Sequence, residues 1–338
     1  MRRLLLIFIL IPGLQGACAT PDIQATPMTL TDQVEVGTAY QGIRLLGALR
    51  LNEVQHDELP LCGLSGLAWD EDGGLLYAIS DQGVLFQLRP AFAADGTLRG
   101  VQRVAAHPLR DARNQPLRSP WHDAEGLAIR KGDNGKPDDA ELRISFEGKP
   151  RVVRYSPTGQ WQGEEPLPAP LRDPGNYRHP NKGLEAMTVD PRWGVIVGTE
   201  APLRGDPDSQ IRLFRNDGRF WRYPLSSAPG SALVAMEALP DGSLLTLERA
   251  FVAPLQPLII SLRRVRLPVA ATAEPLAVTD VAVFDSSQGW PLDNFEGLTR
   301  YQGQRFFMIS DDNCKAWQNT LLVAFELLPD RPASATGQ

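Results

Sequence analysis

The stretch D-N-F-E-G-L-T-R-Y-Q-G-Q-R-F-F-M-I-S-D-D-N places Glu296 near the head of one apolar segment and Asp311 at the tail of the next. The arrangement recurs along the chain with Glu125 and Glu147, Glu185 and Glu200, and Glu237 and Glu248. In a fifth occurrence Ser65 holds the leading place and Asp81 the trailing one, so nine of these ten side chains are carboxylates. If one fold gathers them, mutual repulsion and loss of water raise their energy. Raised pKa values, basic partners or bound cations can each relieve it. Oxygen ligands without clustered Cys or His select a hard cation, and calcium is the expected cofactor.

Basic residues neighbour the same segments: His122, Lys149, Arg151, Arg178, His179, Lys182, Arg249 and Lys315, and Asp123 and Asp312 add further acids. Cations held by carboxylates beside Arg and Lys suit a phosphate or carboxylate ester. In that reading Asp81, Glu125, Glu147, Glu185, Glu200, Glu237, Glu248, Glu296 and Asp311 are metal ligands. Glu125 and Glu296 also serve the chemistry, with His122 or His179 as proton donor, and Arg178, Lys182 and Arg249 bind the substrate's charge. Alternatives stay open: acids that only bond neighbouring backbone amides, a structural calcium, or a non-catalytic protein of the cell envelope that binds a ligand or protein. A nucleophilic Ser65 is disfavoured, because G-L-S-G lacks the G-x-S-x-G elbow. Residues 131–139, K-G-D-N-G-K-P-D-D, lack EF-hand spacing and read as a solvated hairpin tip.

The elements that must position these acids form a repeat. The leading positions 65, 125, 185, 237 and 296 are separated by 60, 60, 52 and 59 residues. After each comes a small residue (Gly66, Gly126, Ala186, Ala238, Gly297) and then an apolar one (Leu67, Leu127, Met187, Leu239, Leu298). This alternation is that of a strand, and a small residue at a fixed place admits close backbone approach. A third apolar segment follows in each repeat, at residues 84–88, 152–155, 211–214, 258–262 and 321–327, and a more polar fourth comes after. Four antiparallel strands per unit predict an all-β fold, a β-propeller of five blades. A sixth blade has room only in the Pro-rich stretch 166–180, which shows no strand pair. The last repeat lacks a fourth strand, and residues 42–51 are predicted to supply it and close the ring. One domain over residues 42–328 results, with a polar leader at 20–41 and a tail at 329–338. Cys62 and Cys314 then lie in neighbouring blades, where a disulfide would clamp the closure, worth up to about 5 kcal/mol by loop entropy.

The chain of 338 residues is 43% hydrophobic and 22% charged, with a net charge of −6 and a pI near 5.4. An acidic chain is a poor partner for nucleic acid. Residues 1–19, with Arg2, Arg3, an apolar run and A-C-A, read as a secretory signal peptide. The apolar run is too short to span a bilayer. Gly16-Ala17-Cys18 also fits the end of a lipobox, which would anchor Cys18 to lipid. Either reading exports the protein to the periplasm or the medium, and a monomer is expected.

The E-G-L cores, the N-K-G-L-E-A segment at 181–186 and the terminal N-F-E-G-L … M-I-S-D-D-N resemble the bacterial phytase-like propeller family, labelled by esterase-like activity. The resemblance spans about residues 42–328. It implies a propeller and calcium-assisted hydrolysis of phosphate esters, with Glu125, Glu185, Glu296 and Asp311 on the family's acidic motif. Ser65 departs from that motif, as do Ala186 and Ala238, and alkaline phytases are usually six-bladed.

Overall fold

The computed structural model describes residues 23–53, 58–269 and 274–329. The signal region 1–19, Cys18 and the tail beyond residue 329 lie outside them. Among the described residues, five antiparallel sheets form a ring, and no helix is long and apolar enough to cross a membrane. Blade 1 comprises Leu64–Asp70, Leu75–Ser80, Val84–Phe92 and Leu98–Pro108, and blade 2 Ala124–Arg130, Glu141–Phe146, Arg151–Tyr155 and Trp161–Glu165. Blade 3 comprises Leu184–Asp190, Gly194–Thr199, Gln210–Arg215 and Phe220–Pro224. Blade 4 comprises Ser231–Ala238, Ser243–Ala250, Ile259–Arg266 and Val278–Asp285. Blade 5 takes Asn294–Tyr301, Arg305–Asp311 and Thr320–Leu327 from the chain's end. Its fourth strand is Ile43–Glu53, paired antiparallel with Thr320–Leu327, as expected of the closing segment. The Pro-rich stretch forms a short helix, Ala169–Arg172, and a 3-10 turn, Pro174–Asn176, so it carries no sixth blade.

The polar segment before Ile43 is more than a leader. Ile23–Pro27 adds a strand outside Ile43–Glu53, Ala39–Tyr40 pairs with that strand too, and Leu30 and Thr31 are buried. Its polar composition hid this because an outer strand buries only part of one face.

Each sheet covers the next with apolar side chains. Between blades 4 and 5, Leu245, Leu247, Ile260 and Phe284 pack with Phe295, Phe306 and Phe325. Each such side chain, fully buried, contributes roughly 1.5–3 kcal/mol. The innermost strands approach closely, as their small residues require: a Cβ at Gly126 would lie 2.4 Å from the Glu185 carbonyl oxygen. The Cys62–Cys314 disulfide forms, with Cα atoms 4.9 Å apart across 252 residues of chain. Asp312 braces it by accepting hydrogen bonds from Gly63 N, Cys314 N and the Thr320 hydroxyl.

Candidate functional site

Every innermost strand carries a register irregularity at its head: between Leu64 and Gly66, Ala124 and Leu127, Leu184 and Met187, Leu233 and Ala235, and Phe295 and Gly297. A bulge re-aims the side chain it contains. In four blades it holds Ser65, Glu125, Glu185 or Glu296, and these line one cavity at the channel mouth. The second strands deliver Asp81, Glu147, Glu200 and Asp311 to the same cavity. They do so because Leu64, Ala124, Leu184 and Phe295 pair with Ser80, Phe146, Thr199 and Ser310, one residue before each acid.

Blade 4 departs from the repeat read in the sequence. Leu233 pairs with Glu248, so the ring positions belong to Val234 and Arg249. Glu237 lies three residues further along and pairs with Leu245, toward the other end of the sheet. Its carboxyl is pushed up to about 8 by burial, partly offset by Arg300. The E-A-L at 237–239 matches the motif in residue types but not in register. Glu248 also misses the mouth. It faces the sheet, accepting from the Tyr223 hydroxyl at 2.6 Å, Ser231 Oγ at 2.6 Å, Ser226 N at 2.8 Å and Arg263 Nη1 at 2.7 Å. The ten ring positions therefore hold seven carboxylates, one serine, one valine and one arginine.

The cavity measures about 710 Å³. Below it lies a small pocket of about 10 Å³, whose lining includes Leu67, Leu127, Met187, Val234, Met236 and Leu298. Two groups within it bring three carboxylates together, with one oxygen from each within 4.8 Å of the others: Asp123, Glu125 and Glu147, and Glu147, Glu185 and Glu200. Glu147 belongs to both, and its Oε1 accepts from Gly183 N at 2.6 Å. Asp123, which the sequence offered only as a further acid, joins through its place one residue before the strand that carries Glu125.

Cationic partners reach only part of the basin. Glu200 Oε1 accepts from Lys182 Nζ at 2.9 Å and Arg249 Nη2 at 2.8 Å. Arg249 Nη1 lies 3.5 Å from Glu296 Oε1 and donates to Asn294 Oδ1. Asn294 Nδ2 donates to Glu296 Oε1 at 2.9 Å. Among the described residues, Glu125 and Glu185 accept no hydrogen bond and form no ion pair. Burial pushes both well above the carboxylate range, and neighbouring glutamates push them further. Burial likewise raises Glu296 to about 8, despite Arg249, and Glu147 to about 7, despite Gly183 N. Asp311 rises to about 7 by burial, against the Asn313 amide. Burial raises Asp81 as well, and Asp123 adds to the shift.

Other sequence-derived candidates lie elsewhere. Arg178 ties the segment before blade 3 to the loop between that blade's second and third strands, bonding Asp208, the Asp206 carbonyl and, at 3.3 Å, the Leu203 carbonyl. His122 meets the Asp81 carbonyl through Nδ1 at 2.8 Å, and His179 is exposed; neither lines the cavity. Arg151 lies over the rings of Trp121 and Phe146. Residues missed in the sequence are Asp293 and Asn294, which line the cavity. Their signal was position: they come immediately before the strand head at Phe295 and Glu296. Asp293 Oδ2 accepts from Asn319 N at 2.7 Å, tying two mouth loops together.

All donors in the two carboxylate groups are oxygens, and among the described residues Glu125 and Glu185 have no hydrogen-bond or ion-pair partner, which fits a hard divalent cation. A third group, Cys62, Asp312 and Cys314, has its sulfurs joined in the disulfide and offers no thiolate.

Comparison with known proteins adds a family match: the family described as "Phytase-like: Esterase-like activity of phytase" covers residues 59–314. No curated protein matches the chain. Similar solved structures include the PQQ-bound aldose sugar dehydrogenase of Streptomyces coelicolor, at 11% identity, covering 86% of this chain and 100% of that one, TM-score 0.43. Another is the gluconolactonase XC5397 of Xanthomonas campestris, at 14% identity, covering 92% and 99%, TM-score 0.40.

Proposed function

The chain belongs to the phytase-like family described by esterase-like activity, and on that premise we propose that it is an exported, calcium-dependent hydrolase of phosphate esters. The observation that carries this reading is the pair of carboxylate groups sharing Glu147, with Glu125 and Glu185 lacking any partner of their own among the described residues. Asp123, Glu125, Glu147, Glu185 and Glu200 would hold calcium. When bound, calcium supplies a Lewis acid for the phosphoryl oxygen and lowers the pKa of a water.

The chain's own groups do the remainder. Lys182, Arg249 and Lys315 line the basin and draw the anionic end of the ester into it. Arg249 holds Glu200 and Glu296 in place while keeping its own charge: burial opposes that charge, but Glu296, Glu200 and Glu185 sustain it. Glu296, raised to about 8, carries a proton at neutral pH. It gives that proton to the leaving oxygen as the phosphorus–oxygen ester bond breaks and water oxygen bonds to phosphorus, and the proton which that water sheds returns to the Glu296 carboxylate. This takes over the donor role the sequence assigned to His122 or His179.

The Cys62–Cys314 disulfide supports an oxidising compartment, and thus export. The test is phosphate release from phenyl phosphate by the calcium-loaded protein, with chelator controls. Turnover abolished by chelation and restored by calcium is the expected result. A folded, calcium-loaded sample that never exceeds the blank sinks the reading.

A further inference from the structure

The two halves of the basin differ in kind. Blades 2 and 3 furnish both carboxylate groups. Blades 4 and 5 furnish an apolar wall from three loops: Phe251, Pro254 and Leu258 after the second strand of blade 4, Leu292 before blade 5, and Trp317 after the second strand of blade 5. Trp317 is 79% exposed and Phe251 47%. Val252 and Leu255, on the same loop as Phe251, are also exposed. Lys315 stands by the Trp317 ring, its Nζ 6.0 Å from the centroid. Open aromatic area beside a single lysine, facing into a polar cavity, has the form of a subsite for a flat apolar group bearing an anion.

Charge argues against a polyanionic ligand. Nine carboxylates line the cavity against Lys182, Arg249 and Lys315, and with Glu296 protonated the formal excess is five negative charges. Two divalent cations would offset four of the five, so a many-phosphate substrate would still meet a basin of negative sign. A single phosphate on a neutral ring carries the least of that penalty.

We propose that the basin selects aryl phosphate monoesters over polyphosphorylated polyols. The ring seats on Trp317, Phe251 and Pro254, and the phosphate turns inward past Lys315 toward Arg249. This rests on the hydrolase reading for its phosphate chemistry and adds the class of ester. Discrimination comes from apolar area covered on the ring, with about a tenfold gain in affinity expected over a methyl group.

The test is calorimetric binding to the full calcium-loaded chain, using phosphonates whose carbon–phosphorus bond resists hydrolysis. Phenylphosphonate should bind about tenfold more tightly than methylphosphonate, and inositol hexakisphosphate should fail to displace it. Trp317→Ala should bring the phenyl-to-methyl ratio toward one. Trp161→Ala, on the outer strand of blade 2, should leave the ratio intact. Equal affinities, an unchanged ratio in Trp317→Ala, or displacement by the hexakisphosphate would each overturn the proposal. Turnover separates the two readings. A phenyl preference without hydrolysis of phenyl phosphate leaves this proposal standing and removes the hydrolase. Equal hydrolysis of methyl and phenyl phosphate keeps the hydrolase and removes this proposal.

Discussion

Arg249 of blade 4 stands at the ring position that Glu200 holds in blade 3, and its Nη2 donates to Glu200 Oε1 at 2.8 Å. One blade thus supplies the counter-charge for its neighbours. The two groups of three carboxylates lie in blades 2 and 3 and at the residue just before the first strand of blade 2.

Replacing Arg249 with Met removes that counter-charge and leaves Glu200 and Glu296 facing each other. Breaking a buried pair by deleting one partner costs about 3–5 kcal/mol. Urea unfolding without calcium should show a loss toward the low end of that range, because Lys182 still holds Glu200. A loss below about 1 kcal/mol would mean the pair is solvent-screened.

Without calcium, stability should fall as pH rises from about 5 to 8. Glu147 and Asp311 titrate near 7 and Glu296 near 8 in the folded chain, all raised from ordinary carboxylate values. A raised folded pKa contributes stability that is complete below the unfolded pKa and lost as pH passes through the folded one. Saturating calcium should reduce the slope without abolishing it, since a cation held by the two carboxylate groups replaces the proton on Glu147, whereas Glu296 and Asp311 lie outside those groups and keep theirs. Thermal melts across this range with and without calcium check both halves.

Glu147→Gln should reduce the calcium-induced rise in melting temperature most, because Glu147 belongs to both carboxylate groups. Glu237→Gln should leave the rise unchanged, since Glu237 pairs with Leu245 away from the mouth. The reverse ranking would return Glu237 to the cation site and refute the pairing of Leu233 with Glu248.

Reduction of the Cys62–Cys314 bond frees a span of 252 residues. Chain entropy puts the release of so long a loop at about 5 kcal/mol, and losses of roughly 2–5 kcal/mol are typical. Cys62→Ser with Cys314→Ser should lower the unfolding midpoint accordingly. An unchanged midpoint would show that pairing of Ile43–Glu53 with Thr320–Leu327 closes the ring unaided.

The repeat, the five blades, the closing strand and the disulfide partners were legible in the sequence. Each rests on local patterning or on topology, with apolar alternation, small residues at close approaches and a missing fourth strand at the end. The mouth acids of blades 1, 2, 3 and 5 were legible for the same reason. Blade 4 was not, because E-A-L at Glu237 imitates the motif, and only the pairing of Leu233 with Glu248 shows that Val234 and Arg249 take its place. His122 and Arg178 show the same limit at the level of side chains. Nearness in the chain to Glu125 and Glu185 did not decide where they point, and contacts with the Asp81 carbonyl and Asp208 did. Periodicity is written in residue order and survives without partners. Register and side-chain direction are set by hydrogen bonds and packing between distant segments, so they exist only once the ring has closed.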